Sequence, residues 1–304
     1  MDIAVATNEL TRVFGSFIAV NKLSINIEAG EIYGFLGPNG SGKSTTIRML
    51  CGILEPSSGS GKVLGYDLAK ESEKIKTRIG YMSQKFSLYD DLTVYENLNF
   101  YSGLYDVPVR ERKSRIAEMV EMAKLTGREK ELVANLSVGW KQRLALGCAI
   151  ISRPSILFLD EPTSGISPTS RKMFFNIIQE LANGGTTIMV TTHFMDEAER
   201  CNTIAFISEG SLIAKDTPDN LKGKVIKGSM VELNVDEPVE RINEIEALPY
   251  VRECSIHGPL LHVLLEADES IPLLEAQTGS KAKRIVPSLE DVFITLSRQK
   301  RGEG

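Results

Sequence analysis

Two patterns of apolar residues run along the chain, and each predicts a different kind of strand. Residues 32–36, 156–159 and 187–191 are continuous, largely apolar runs set among helical stretches. Such runs suit parallel strands covered on both faces. Leu23, Ile25 and Ile27 instead alternate with Ser24, Asn26 and Glu28, and residues 1–30 read as short strands. A glycine-rich turn over 37–45 leads from the first continuous run into a helix at 46–50. Residues 56–61 read as a turn before a short strand at 62–64. A strand at 79–82 leads to Gln84, and 93–125 is mainly helical with a break near Pro108. Met173, Phe174, Ile177, Ile178 and Leu181 form the apolar face of a helix between the last two continuous runs. Residues 201–207 and 211–214 make a strand pair around Glu209-Gly210.

The pattern changes over 217–228, where Pro218, Gly223, Gly228 and several lysines read as a hinge. Beyond it, 231–235 alternates and 239–248 is helical. Strands at 251–256 and 261–265 flank His257-Gly258-Pro259, a helix covers 272–277, and 285–286 is a short strand. Ser288-Leu289-Glu290-Asp291 opens a final helix. That βαββαβ order with an added helix predicts a small α/β sandwich. His257 and His262 stand five residues apart across the Gly-Pro turn. With no acid or cysteine nearby at metal-ligand spacing, they do not read as a metal site.

Composition narrows the classes. The chain has 304 residues, 42% apolar and 25% charged, enough for a sizeable core and two domains. Lys plus Arg number 35 against 40 Asp plus Glu, a formal charge of −5, which argues against gripping a long stretch of nucleic acid. No apolar run approaches the length of a membrane span, and the N-terminus lacks a basic region followed by an apolar core. Cys51, Cys148, Cys201 and Cys254 lie at least 53 residues apart, and read as buried small hydrophobes in a reduced, cytosolic protein.

The chemistry is concentrated in a few motifs. Gly37-Pro38-Asn39-Gly40-Ser41-Gly42-Lys43-Ser44 fits GxxxxGK[ST] between a strand and a helix. Its glycines let backbone N–H groups converge on phosphate oxygens, and the helix N-terminus adds donors and a favourable dipole. Lys43 reaches the β and γ phosphates, Ser44 suits Mg²⁺, and Thr45 assists. Asp160, 117 residues after Lys43, ends a strand and suits a second Mg²⁺ anchor. Glu161 follows, placed to orient and polarise a water as a general base or something close to one. His193 follows another strand and would face the γ-phosphate or the water. Gln84, also at a strand end, suits Mg²⁺ or water. In Leu136-Ser137-Val138-Gly139-Trp140, Ser137 is a helix N-cap and Gly139 permits close approach, so a second helix N-terminus could close over another molecule's ATP.

The order of these motifs closely resembles the nucleotide-binding subunit of an ABC transporter, of the multidrug or antibiotic-exporter type that pairs with a separate membrane subunit. The resemblance covers about residues 5–217. It implies an α/β P-loop domain over 1–217, with a helical subdomain at about 88–153. A linker at 218–228 and a ferredoxin-like accessory α/β domain over 229–304 would follow. It implies hydrolysis of ATP with Mg²⁺. Glu161, His193 and Gln84 would be catalytic, the metal would lie at Ser44, Gln84 and Asp160, and the nucleotide would contact 37–45, Ser137 and Gly139. Phe14 would stack on adenine, although by chemistry alone it could equally be a core residue. The implied partners are transmembrane permease subunits and a second nucleotide-binding domain, a copy being favoured over a different chain. No nucleic acid is expected. The implied place is cytoplasmic, peripheral on the inner face of the cell membrane.

The family's signature is usually Leu-Ser-Gly-Gly-Gln, so Val138 and Trp140 depart from it, and Ser167 stands where aspartate is usual. Trp140 is expected at the dimer interface and Ser167 facing the opposing phosphate loop. These departures motivate an alternative, an ATP-binding regulatory module with little turnover. A soluble, non-transport ABC ATPase is a further alternative. Only 92 residues separate Ser44 from Leu136, without sustained heptads, which disfavours a repair-type member. Six aromatics, Phe86, Tyr89, Tyr95, Phe100, Tyr101 and Tyr105, offer a docking surface for the membrane partner, with about half expected to be buried.

Overall fold

The computed structural model describes residues 2–85 and 87–302, and the chain divides into two compact units between Lys215 and Asp216. The first unit opens with β1 (Ile3–Phe14), β2 (Phe17–Leu23), β3 (Asn26–Glu28), β4 (Ile32–Leu36), α1 (Lys43–Leu50), β5 (Ser58–Val63), β6 (Tyr66–Asp67), α2 (Ser72–Lys76) and β7 (Ile79–Met82). The helices α3 (Val94–Leu104), α4 (Val109–Met122) and α5 (Val138–Ile150) follow. It ends with β8 (Ile156–Asp160), α6 (Pro168–Asn183), β9 (Thr187–Thr192), α7 (Met195–Ala198), β10 (Thr203–Ser208) and β11 (Ser211–Asp216).

Every residue of β4, β8 and β9 is buried, as continuous apolar runs require. They lie inside a six-stranded sheet of order β11-β10-β4-β9-β8-β7, in which β10, β4, β9, β8 and β7 pair in parallel. Ile47, Met49 and Leu50 of α1 fill a core with Tyr33, Phe35, Phe158 and Met189. Val5 and Val63 of a second, antiparallel sheet close the same core. β1 is the centre of that second sheet, between β2 and β5, so the first 30 residues contain a 12-residue strand as well as short ones.

The turn expected over 56–61 is mostly strand. Ser60, Gly61, Lys62 and Val63 pair with Asn8, Thr7, Ala6 and Val5. A Cβ at Gly59 would stand 2.2 Å from Glu9 O, so this glycine marks close approach of two strands. The helical subdomain follows its pattern. Thr93 and Glu96 form a capping box that starts α3, Pro108 precedes α4, and α3, α4 and α5 pack on one another.

The second unit corrects the hinge expected at 218–228. Thr217 caps a helix, α8 (Pro218–Val225), by accepting from Asn220 N, and Pro218 takes the first helical position, where its missing N–H costs nothing. The unit continues with β12 (Ser229–Leu233), α9 (Pro238–Glu246), β13 (Val251–His257), β14 (Leu260–Leu265), α10 (Ile271–Thr278), β15 (Ala282–Arg284) and α11 (Leu289–Gly302). Its antiparallel sheet has the order β13-β14-β12-β15 over a core of Val231, Leu233, Ile245, Cys254, Leu261 and Val263. The strand expected at 285–286 lies earlier. Ala282 and Arg284 pair with Leu233 and Val231, whereas Val286 is exposed.

Candidate functional site

The phosphate loop joins β4 to α1 at the carboxyl ends of the parallel strands. Gly42 is the N-cap of α1 with φ 100°, and a Cβ there would stand 2.3 Å from Ala19 O, so both conformation and space demand glycine. Lys43 Nζ donates to Gly37 O at 2.8 Å and Pro38 O at 3.1 Å. Ser41 Oγ is buried with no hydrogen-bond partner among the described residues, an orphan hydroxyl within a loop whose motif suits phosphate. Asn39, Gly40, Gly42, Lys43, Ser44 and Thr45 line a cavity of about 340 Å³ together with Gln84 and Glu161.

Glu161 is the hub of the site. Its Oε1 lies 3.1 Å from Lys43 Nζ, its Oε2 accepts from Gln84 Nε2 at 3.1 Å, and His193 Nδ1 stands 3.7 Å from the same Oε2. β7, β8 and β9 deliver these groups at neighbouring strand ends, which is why residues 77 and 32 positions from Glu161 meet on it. Glu161 itself has φ 45°, a backbone strained for a side chain of its size and of the kind held at functional sites.

Asp160 faces the phosphate helix. Its Oδ1 accepts from Ser44 Oγ at 2.9 Å and from Thr191 Oγ1 at 2.9 Å. Burial pushes its pKa above the ordinary 3.8, against the opposing effect of those two bonds. Ser44 and Asp160 form the hard-oxygen set that Mg²⁺ prefers, and a buried carboxylate whose charged form is disfavoured gains most from a cation. Gln84 is bonded to Glu161, so of the three residues expected at the metal the structure joins Ser44 and Asp160 and puts Gln84 on the other acid. Thr191 went unnoticed in the sequence. Its hydroxyl also accepts from Glu161 N at 2.8 Å, so one side chain orients both acids. The run Thr191-Thr192-His193 at a strand end was the available signal.

Phe14 stands outside the cavity lining, exposed, with the Arg12 guanidinium 4.5 Å over its ring. The aromatic among the lining residues is Phe17, its cross-strand partner in the β1–β2 hairpin, 60% exposed. Ser137 is the N-cap of α5 but its side chain makes no capping bond, so this exposed hydroxyl is unused by its own helix. A Cβ at Gly139 would lie 3.4 Å from Ser170 Oγ, which in turn is 3.0 Å from Ser167 Oγ. Ser167 caps α6, accepting from Ser170 N. Serine there keeps the capping that aspartate would give and loses its charge. Trp140 is half-buried under the Arg128 guanidinium, 3.7 Å from its ring centre.

Of the six aromatics after Gln84, Phe86 lies outside the described residues, and none of the other five is fully buried, fewer than expected. Tyr89, Phe100, Tyr101 and Tyr105 form a chain of ring contacts. Beside it, Ile53, Tyr81, Leu104 and Tyr105 line part of a groove of about 480 Å³. No helix among the described residues is long and apolar enough to cross a membrane.

Comparison with known proteins agrees with this geometry. The family model described as ABC transporter matches residues 20–164. A probable multidrug ABC transporter ATP-binding protein of Escherichia coli (strain K12) is 48% identical over 220 residues, 72% of this chain but only 38% of that relative's length. A linearmycin resistance ATP-binding protein of Bacillus subtilis (strain 168) is 33% identical over 303 residues, covering 95% of this chain and 96% of the relative. A solved dimeric ATP-binding cassette in a post-hydrolysis state, bound to ADP and Pi, superposes with a TM-score of 0.64 at 26% identity, over 70% of this chain and 98% of that one. Since the similarity to the linearmycin resistance relative runs nearly end to end and the phosphate loop, acid pair and histidine lie together, the chain belongs to the ABC transporter family.

Proposed function

We propose that this chain binds ATP with Mg²⁺ and hydrolyses it to drive conformational change in separate transmembrane subunits of an exporter. The observation that carries the reading is the meeting of Lys43, Gln84 and His193 on the Glu161 carboxylate at the mouth of the phosphate loop. ATP entering the loop takes Lys43 for its phosphates, which frees one side of Glu161. Glu161 then orients a water for attack on the γ-phosphorus. One proton of the water passes to Glu161 as the new P–O bond forms and the bond to the β-phosphate oxygen breaks, leaving ADP and phosphate. His193 steadies the γ-phosphate or that water, and Gln84 holds the Glu161 carboxylate in place. Ser44 and Asp160 would hold Mg²⁺, which neutralises charge on the β and γ oxygens.

The groove lined by Ile53, Tyr81, Leu104 and Tyr105, with the exposed rings beside it, is the surface on which a permease subunit would dock. Its apolar and aromatic lining supports this, and the chain would sit at the inner face of the membrane through it. A second copy would supply Ser137 and Gly139 to the γ-phosphate, a reading supported by the unused Ser137 hydroxyl and by the dimeric relative. The second unit is best read as a ferredoxin-like accessory domain. Its βαββαβ order and β13-β14-β12-β15 sheet support this, and stabilising or regulating the dimer is the role proposed for it. The alternative of a module with little turnover rests on Trp140 and Ser167. Steady-state ATPase of the complex purified from membranes, wild type against Glu161→Gln, separates the two. Hydrolysis that the substitution abolishes supports the motor; absence of turnover in the wild-type complex supports the module.

A further inference from the structure

The second unit holds a cluster that the ATP chemistry does not use. His257 ends β13 and His262 lies in β14, directly across from Ser255. Alternation puts Ser255 and His257 on one face of β13, so the two histidines are diagonal neighbours on the same face of the sheet. Their rings stack with centres 3.7 Å apart and planes inclined by 10°. Asp291, 29 residues after His262, reaches the same place from the first turn of α11. Its Oδ1 is 2.9 Å from His262 Nδ1 and 3.2 Å from His257 Nε2.

We propose that His257 Nε2, His262 Nδ1 and Asp291 Oδ1 form a site for one transition-metal dication, Zn²⁺ foremost, tying the β13–β14 hairpin to the start of α11. Three features support it. The three donor atoms lie within 4.8 Å of one another. Donors on a tetrahedral zinc ion stand roughly 3.3 Å apart, close to the two separations at Asp291. His257 Nε2 is buried and makes no hydrogen bond, because Asp291 Oδ1 is near it but poorly aligned. An unsatisfied buried nitrogen of this kind is available as a ligand.

The surroundings orient the donors as ligand-holding groups do. Asp291 Oδ2 accepts from Ser288 N and Ser288 Oγ, both at 2.7 Å, which fixes the carboxylate and leaves Oδ1 directed at the histidines. Glu290 Oε2 lies 3.7 Å from His257 Nδ1, on the side of the ring away from the site, where it favours the tautomer that leaves Nε2 free for a metal. Two imidazoles and one carboxylate, with water completing the set, suit Zn²⁺ better than Mg²⁺ or Ca²⁺. All four cysteines are buried elsewhere and free, so the site owes nothing to thiolate.

The test uses the full chain, purified without a polyhistidine tag, stripped with chelator and kept free of nucleotide. Titration with Co²⁺ should develop visible ligand-field absorption that saturates at one ion per chain and is displaced by Zn²⁺. Zn²⁺ should raise the thermal midpoint of the wild type. The double variant His257→Gln with His262→Gln should lose the absorption and bind at least about 100-fold more weakly, while still binding ATP. Glu290→Gln, which keeps all three ligands on a surface position, should weaken binding by about 10-fold, and it keeps the proposal testable if the double variant misfolds. Absence of the absorption in the wild type overturns the site. So does equal metal uptake by a folded double variant, which would put the ion at the nucleotide pocket, and so does unchanged affinity in Glu290→Gln.

Discussion

Lys43 and Glu161 stand 3.1 Å apart across the nucleotide pocket, with side chains only 4% and 8% exposed. Without nucleotide, each is the other's counter-charge. Breaking a buried pair from one side costs about 3–5 kcal/mol when the survivor has nothing else. Here Lys43 keeps two carbonyl acceptors, at Gly37 and Pro38, so the loss should be smaller. Glu161→Gln should therefore lower the thermal midpoint of the nucleotide-free chain modestly and show a larger rise on adding Mg·ATP than the wild type does. Its turnover should fall by at least about 100-fold, as expected for losing a general base. Lys43→Ala should weaken nucleotide binding instead. Paired thermal scans with and without Mg·ATP, together with steady-state hydrolysis, check all three. An unchanged midpoint and normal turnover in Glu161→Gln would reject the counter-charge role.

Asp160 gives a pH dependence of definite sign. Its folded-state pKa lies above the ordinary 3.8, mainly through burial. A raised carboxyl pKa means that the ionised group penalises the folded state at neutral pH. The penalty shrinks as pH falls through the raised value and is gone once the unfolded carboxyl is also protonated. Nucleotide-free Asp160→Asn should thus be more stable than the wild type near neutral pH, and the gap should narrow in acid. Stabilisation by Mg·ATP should move oppositely, fading as Asp160 takes up its proton. Denaturant midpoints across pH for both proteins provide the measurement. A gap that widens in acid would contradict the assignment.

Legibility in the sequence followed range. The phosphate loop, Asp160-Glu161 and the strands of the parallel sheet were readable because a local motif or a continuous apolar run encodes each one. The helix start at Thr93 and the break at Pro108 were likewise local. Residues 58–61 of this strand were misread as turn because Gly59 and Gly61 look like turn residues, whereas they admit a neighbouring strand. The helix at Pro218–Val225 was hidden by glycine and lysine content that a threonine cap and an N1 proline override. Asp291 could not be assigned to the two histidines because only the packing of α11 on the hairpin brings it there. Thr191 was missed for the same reason, since its role depends on Asp160 and Glu161, distant in sequence, and so was the place of Phe17 in the pocket lining.

The groove lined by Ile53, Tyr81, Leu104 and Tyr105 should behave as a contact surface. Leu104 is 60% exposed and Ile53 is 48% exposed, both at its edge, so neither supports much of the core. Ile53→Glu and Leu104→Glu should leave the chain's thermal midpoint nearly unchanged, within about 0.5 kcal/mol as for ordinary surface changes. Co-purification with membrane subunits should fall sharply, because a charge enters an apolar contact. Quantifying the associated polypeptides after membrane extraction tests this. Full retention by the double variant would place the membrane contact elsewhere.

Two serines at helix starts separate a structural role from a shared-site role. Ser167 Oγ accepts from Ser170 N and caps α6, whereas Ser137 occupies the N-cap of α5 without capping it. Losing a working serine cap costs about 1 kcal/mol, so Ser167→Ala should lower stability by roughly that amount. Ser137→Ala removes no such bond and should leave stability nearly untouched. If the Ser137 hydroxyl is kept for the γ-phosphate of a second copy, turnover of the assembled complex should nonetheless drop at least about 10-fold, and ATP-driven dimerisation of a Glu161→Gln background should weaken with it. Ser167→Asp keeps the cap and restores the charge, so it should alter rate or cooperativity while sparing stability. Trp140→Gln should also spare ATP affinity, but it gives up the Arg128 contact and with it a few tenths of a kcal/mol to about 1 kcal/mol. Thermal unfolding, ATPase cooperativity and sedimentation of the closed dimer distinguish these outcomes. A Ser137→Ala chain that hydrolyses and dimerises normally would show that α5 has no part in the opposing site.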